Sequence, residues 1–159
     1  MKKLIIYIAC VLLIMSIFPA SAFADNTAPV TTSDITVFED GSYCVTTISE
    51  KREPTYGLLK ALATRSTKTA SKTTAYHNSN GQKLYSVTVT GTFSYNGSTS
   101  TATSAEYSYS ISYSTWNFVS GSAGRSGNTA TATCKFKYGI SYSRTLSVSL
   151  SCSPNGTLS

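Results

Sequence analysis

The chain has 159 residues, with 13 basic against 7 acidic side chains and a formal net charge of +6. That length accommodates one domain with a real core and excludes two of ordinary size. A single histidine, and four cysteines with no C-x-x-C spacing, leave a zinc site without support and imply no cofactor.

Lys2 and Lys3 precede an apolar run from Leu4 to Phe18, which Pro19 breaks ahead of Ser21-Ala22-Phe23-Ala24. A positive start, an apolar stretch and small residues in A-x-A spacing describe an export signal, with the cut after Ala24. Cys10 is followed by further apolar residues, so it is not the terminal cysteine of a lipoprotein signal. Residues 1–24 are therefore read as a signal peptide, and the mature protein is expected to be secreted, extracellular or wall-associated. It retains 135 residues and a net charge of +4, from 11 basic and 7 acidic side chains.

The charge is unevenly spread. From Asp25 to Glu53 there are six acids against Lys51 and Arg52; from Pro54 onward there are nine basic residues and one acid, Glu106. Residues 25–66 form an acidic N-terminal segment with a short hairpin and linker, and 67–159 a Ser/Thr/Tyr-rich β domain. A basic body outside the cell points to an anionic cell-wall polymer or a membrane surface as partner. Dispersed lysines and the absence of a recognition motif argue against nucleic acid.

In the acidic segment, Asp34 to Glu39 and Ser42 to Ile48 read as short strands around an Asp40-Gly41 turn. Tyr56 to Arg65 has the apolar spacing of a helical turn or two, or else is a linker. Thr67 to His77 is the next strand, turning at Asn80-Gly81. From Lys83 to Tyr95 the alternation is long: Tyr85, Val87, Val89, Gly91, Phe93 and Tyr95 on one face, serines and threonines on the other. Asn96-Gly97, the preferred pair for a type I′ turn, then reverses the chain.

The return arm carries Tyr107, Tyr109, Ile111 and Tyr113, and a change of parity near Thr115 predicts a bulge or a new strand. Ser120 to Asn128 reads as a loop by composition. Ala130, Ala132, Cys134, Phe136, Tyr138 and Ile140 share one strand face. Leu146, Val148, Leu150 and Cys152 share another, ahead of a Pro154-Asn155-Gly156 turn after which Leu158 tucks back. About seven to eight strands of this kind predict an all-β fold, an antiparallel β-sandwich or a partly open barrel.

The chemistry of catalysis is sparse. His77 is the single histidine, no serine lies in a G-x-S-x-G elbow, and Glu106 is the one carboxylate side chain after Glu53. A two-acid glycosidase site within the body is thereby excluded, and no catalytic residue is assigned. The tyrosines 107, 109 and 113 are spaced as an inward face, and the core reading is preferred for them over a sugar-stacking platform. Trp116, where the pattern breaks, is the one ligand-binding candidate. Cys134 and Cys152 both fall on apolar parities and are the favoured disulfide pair, a loop of about 18 residues worth on the order of 3 kcal/mol. Cys44 competes with them, and free buried thiols are the plain alternative.

Gly91-Thr-Phe-Ser-Tyr-Asn-Gly97, Trp116, Ser126-Gly-Asn-Thr-Ala130 and Leu150-Ser-Cys-Ser-Pro-Asn-Gly156 together resemble an uncharacterised family of small secreted β-rich proteins from Gram-positive bacteria. The likeness spans roughly Thr67 to the C-terminus and implies export and a compact β domain; it supplies no activity. Relatives often carry a cysteine shortly after the Asn-Gly turn, where this chain has Thr101-Ala102-Thr103.

These readings converge on a secreted, non-enzymatic β-sandwich that binds cell-envelope polymers or another surface. The competing reading is a membrane-active, bacteriocin-like toxin, in which a Ser/Thr-rich hairpin would present Val87, Val89, Tyr107 and Ile111 to lipid. N-terminal sequencing of exported material is expected to read Asp-Asn-Thr from Asp25. Full-length chain in the membrane fraction would contradict the cleavage site.

Overall fold

Among the described residues, period-two alternation and glycine-marked turns produce a meander of eight antiparallel strands. The structure is a computed structural model, which describes residues 31–51 and 65–159. The expected signal peptide, its cleavage site and residues 56–64 of the Tyr56–Arg65 stretch lie outside the described residues. The strands are β1 Thr31–Val37, β2 Tyr43–Lys51, β3 Ser66–His77, β4 Lys83–Tyr95, β5 Ser100–Ile111, β6 Trp116–Ser126, β7 Thr129–Tyr138 and β8 Tyr142–Ser151. They form a five-stranded sheet in the order β1-β2-β3-β4-β5 and a three-stranded sheet β6-β7-β8. The two sheets face one another as an open sandwich. Strands β1 and β2, from the acidic segment, belong to the larger sheet, where β2 is hydrogen-bonded to β3.

Because every strand within a sheet pairs with its chain neighbour, the turns divide between two ends. The β1–β2, β3–β4, β5–β6 and β7–β8 turns gather at one, the aromatic end. Three hairpin loops share one construction: Glu39-Asp40-Gly41, Ser79-Asn80-Gly81 and Pro154-Asn155-Gly156, each with its glycine at positive φ (75°, 81° and 83°). In each, the residue before the loop donates its N–H to the residue after it, as Phe38 does to the Ser42 carbonyl at 2.8 Å. This is the three-residue hairpin whose last position needs a left-handed residue, which glycine supplies without strain.

Two turns differ from expectation. Asn96-Gly97 does not make a type I′ pair, since glycine alone has positive φ there. The Asn96 N–H donates to the Thr99 carbonyl (3.2 Å), which leaves Gly97-Ser98 as the two central residues, and Asn96 Oδ1 accepts the N–H of Ser98 (3.1 Å) and Thr99 (2.8 Å). Ser120 to Asn128 is not a loop: β6 runs through to Ser126 and turns on Gly127-Asn128 alone. Its small residues serve packing. A Cβ at Gly121 would lie 2.5 Å from the Tyr107 ring, so the bare backbone there is what lets β5 close onto β6.

The alternation sets the core. Tyr85, Val87, Val89 and Phe93 of β4 meet Ala130, Ala132, Cys134 and Phe136 of β7 and Val148 and Leu150 of β8, all buried. Burying each large apolar side chain contributes about 1.5–3 kcal/mol. The outer faces are bound by hydroxyl pairs instead: Thr69–Thr92, Ser71–Thr90 and Thr73–Thr88 on one sheet, Thr129–Ser151, Thr131–Ser149 and Thr133–Ser147 on the other, all between 2.7 and 3.1 Å. Such cross-strand pairs contribute roughly 0.2–1 kcal/mol each and hold register without apolar surface. Tyr138 and Ile140, expected on the core face of β7, are not in the core: the strand ends at Tyr138 and Ile140 sits in the next turn.

The sheets approach closely at Gly91. A Cβ there would lie 2.8 Å from Phe93 and 2.9 Å from the Ala130 methyl. Gly91→Ala is expected to cost about 1–3 kcal/mol by overpacking, measured by urea unfolding. An unchanged midpoint would show that the sheets are further apart.

Candidate functional site

The aromatic end is built from strand termini. Trp116 opens β6, Tyr138 closes β7, Tyr142 opens β8, and Tyr113 lies in the β5–β6 turn. Trp116 is 7% exposed, with its ring 4.8 Å from Tyr85, 5.7 Å from Tyr138 and 5.9 Å from Tyr142. It packs as a core ring, with Tyr138 and Tyr142 around it. Tyr138 (48% exposed) and Tyr142 (52%) flank Ile140, which is fully exposed at the tip of the β7–β8 turn. No carboxylate side chain lies between Tyr107 and Ser159, whereas Arg125, Lys135, Lys137 and Arg144 do. Lys135 and Lys137 are exposed on the outer face leading to the tip.

Tyr107, Tyr109 and Tyr113 are corrected from core to half-exposed positions. The first two do lie on the inner side of β5, but β5 is the last strand of its sheet, so one side of each ring meets water. Phe118 covers the other: its ring stacks 4.0 Å from Tyr109 at 3° and 6.5 Å from Tyr107.

The remaining chemistry-bearing residues are dispersed. His77 stacks on Tyr43 at 4.7 Å and 3°, and its buried Nδ1 has no partner among the described residues. Glu106 stands opposite Thr90 on the outer face. Asp40 lies in the first hairpin loop, where the Ser42 hydroxyl (2.5 Å) and then its N–H (3.0 Å) hold the carboxyl below its ordinary pKa. Among the described residues no three His, Cys, Asp or Glu side chains gather as a metal site, and no helix is long and apolar enough to cross a membrane.

A groove of about 640 Å³ opens on the side where the sheets part. The three-stranded sheet covers β3 to β5 but leaves the inner face of β1, and that of β2 beyond the buried Cys44, only partly covered. Asp34, Thr46, Ile48, Lys72 and Thr74 line one wall; Ser147, Val148, Ser149, Leu158 and Ser159 line the other. Arg144 bridges the walls at the aromatic end, with its guanidinium 4.2 Å from the Tyr76 ring and 4.9 Å from Phe38, and donates to the Tyr76 hydroxyl. The Tyr76 hydroxyl in turn donates to Ser42 Oγ at 2.9 Å. Sequence reading missed this groove, because it depends on one sheet being wider than the other.

The Cys134–Cys152 disulfide is not formed: Cys44, Cys134 and Cys152 are all free and buried. Cys134 and Cys152 do point inward as expected. Cys134, however, stands opposite Leu146, so Cys152 lies about 20 Å further along β8 at roughly 3.3 Å per residue. Burial raises the thiol pKa of Cys44 and Cys134. The folded state therefore holds those protons longer than the unfolded chain, and stability falls as pH rises through the ordinary thiol range. Native protein at pH 8 is expected to alkylate at least about tenfold more slowly than unfolded protein. All three thiols should react after unfolding without reductant; a cross-linked Cys134–Cys152 peptide would contradict the structure.

In comparisons with known proteins, no family model, no curated protein and no solved structure matches this chain.

Proposed function

We propose that the chain is an exported, non-enzymatic β-sandwich that attaches to an anionic envelope surface through its aromatic end. One observation carries the reading: a fully exposed isoleucine stands between two half-exposed tyrosines, on a sheet that holds four basic residues and no acid. An aliphatic tip flanked by aromatic rings gains free energy on leaving water, and the tyrosine hydroxyls keep polar partners at the boundary. The lysines on the approach to the tip, Lys135 and Lys137, add a salt-sensitive attraction to phosphate or carboxylate groups. Support for a binding role over catalysis comes from the placement of Glu106 on the outer face, of His77 stacked on Tyr43, and of Asp40 in the first hairpin loop, bonded to Ser42.

The membrane-active alternative draws less support from the same geometry. The β4–β5 hairpin already commits Val87 and Val89 to the core, and its other face is a row of hydroxyls, so releasing it for insertion would dismantle the sandwich.

Cosedimentation separates these cases. The mature protein should pellet with purified anionic wall polymer or with vesicles containing anionic lipid, and the bound fraction should fall as salt rises. Ile140→Ser and the double substitution Lys135→Glu, Lys137→Glu should each weaken binding at least about fivefold, on the order of 1 kcal/mol. Release of a trapped dye from vesicles would favour the toxin reading, and no pelleting with either surface would refute attachment.

A further inference from the structure

Strand β8 is the outer strand of the smaller sheet, and the direction of its free backbone groups follows from its end. Ser151 and Ser159 exchange both hydrogen bonds, Ser151 N–H to Ser159 O at 2.9 Å and Ser159 N–H to Ser151 O at 3.0 Å. The amide and carbonyl of Ser151 therefore point away from β7. In an antiparallel ladder this direction alternates, so Ser149, Ser147 and Thr145 also turn their N–H and C=O groups away from β7. The hydroxyl pairs Thr131–Ser149 and Thr133–Ser147 agree, since side chains come closest at positions that do not exchange backbone bonds. Among the described residues nothing pairs with this edge beyond Ser151.

The opposite free edge, β1, is handled differently. In the β1–β2 hairpin Phe38 bonds to Ser42, which by alternation turns the Ile35 N–H outward. Asp34 Oδ1 accepts that N–H at 2.9 Å. A side chain thus occupies a donor on β1, and an inward-pointing charge is one of the usual protections of an edge strand. From Thr145 to Ser149 strand β8 has no such device, its one inward-pointing charge being Arg144 at the aromatic end. Its open edge runs along the groove, whose lining includes Ile48, Val148 and Leu158 beside Asp34 and Lys72.

We infer that the free edge of β8 accepts an extended polypeptide segment of another protein, which adds a strand to the smaller sheet and lies in the groove. The occupant is a peptide because the edge already carries one: Leu158 and Ser159 of this chain form its first positions, with Leu158 bridged to Cys152 and packed against the core. An incoming strand would continue that row past Ser149 and Ser147 to Thr145. Its inward side chains would be apolar, facing Ile48 and Val148, and its outward ones hydroxyl-bearing, extending the Ser/Thr rows. This mode supplies affinity through backbone bonds and selectivity through alternate side chains. It is independent of attachment through the aromatic end.

The test uses the mature protein and a panel of labelled decapeptides in which threonine alternates with alanine, valine, leucine or phenylalanine, read by fluorescence anisotropy. At least one panel member should bind. N-methylation of its residues should weaken binding at least about tenfold at one parity and little at the other, because alternate amides face β8. Ser147→Pro should weaken binding comparably: the amide it removes faces the groove, so the β7 ladder keeps its bonds. If that variant fails to fold, the methylation pattern decides alone. No binding by any panel member up to about 1 mM, equal loss at both parities, or a self-associated dimer that Ser147→Pro dissolves would overturn the proposal.

Discussion

The packing of Tyr85 across the gap between the sheets is the contact on which the rest of the structure depends. Its ring lies 4.2 Å from Phe136, 4.8 Å from Trp116 and 5.3 Å from Tyr76, so one β4 side chain touches residues from both sheets. Its hydroxyl is buried without a partner among the described residues, and burial pushes its pKa far up. A buried polar atom of this kind costs roughly 1–3 kcal/mol. The ring is kept there because its area spans a gap that the small residues of the other end, Ala70, Gly91, Ala102 and Ala130, do not fill.

That difference in side-chain size explains the shape. Near Gly91 the sheets touch almost backbone to backbone, and at the aromatic end rings hold them apart. On the β5–β6 side they are drawn together by the Ala102 N–H to Gly127 bond (2.8 Å) and by Arg125 reaching the Ala102 carbonyl (3.2 Å). On the β1–β8 side Arg144 is the bridge among the described residues. The groove and the exposed tip are therefore two outcomes of one packing arrangement, whereas the paired hydroxyls of the outer faces are bonded to one another. The Lys68–Glu50 ion pair (2.9 Å) on the uncovered inner face is partly exposed and contributes little stability.

Much of the architecture is legible in local pattern. The β4 alternation from Lys83 to Tyr95 predicts both the strand bounds and the buried parity, because a strand covered on one face must sort its side chains with period two. The β7 and β8 faces through Phe136 and Leu150 are legible for the same reason. What local pattern lacks is context. Gly and Ser in β6 look like a loop until Tyr107 is placed over Gly121. Tyr107 and Tyr109 look buried until β5 is known to be an edge. Cys134 and Cys152 share a face yet are separated by the register of β7 on β8, which parity alone does not give. Trp116 stands out in the sequence where its exposed neighbours Tyr138 and Ile140 read as core, because the end of β7 is invisible in the alternation.

The two sheets form one core closed on the Tyr85–Phe136 contact, and truncation of Phe136 tests this most directly. Equilibrium unfolding of Phe136→Ala against the parent protein should show a loss of about 3–5 kcal/mol, the range for removing a fully buried phenylalanine. A loss below about 1 kcal/mol, in the range of a surface substitution, would contradict a shared core, since the smaller sheet would then not be packed on the larger one.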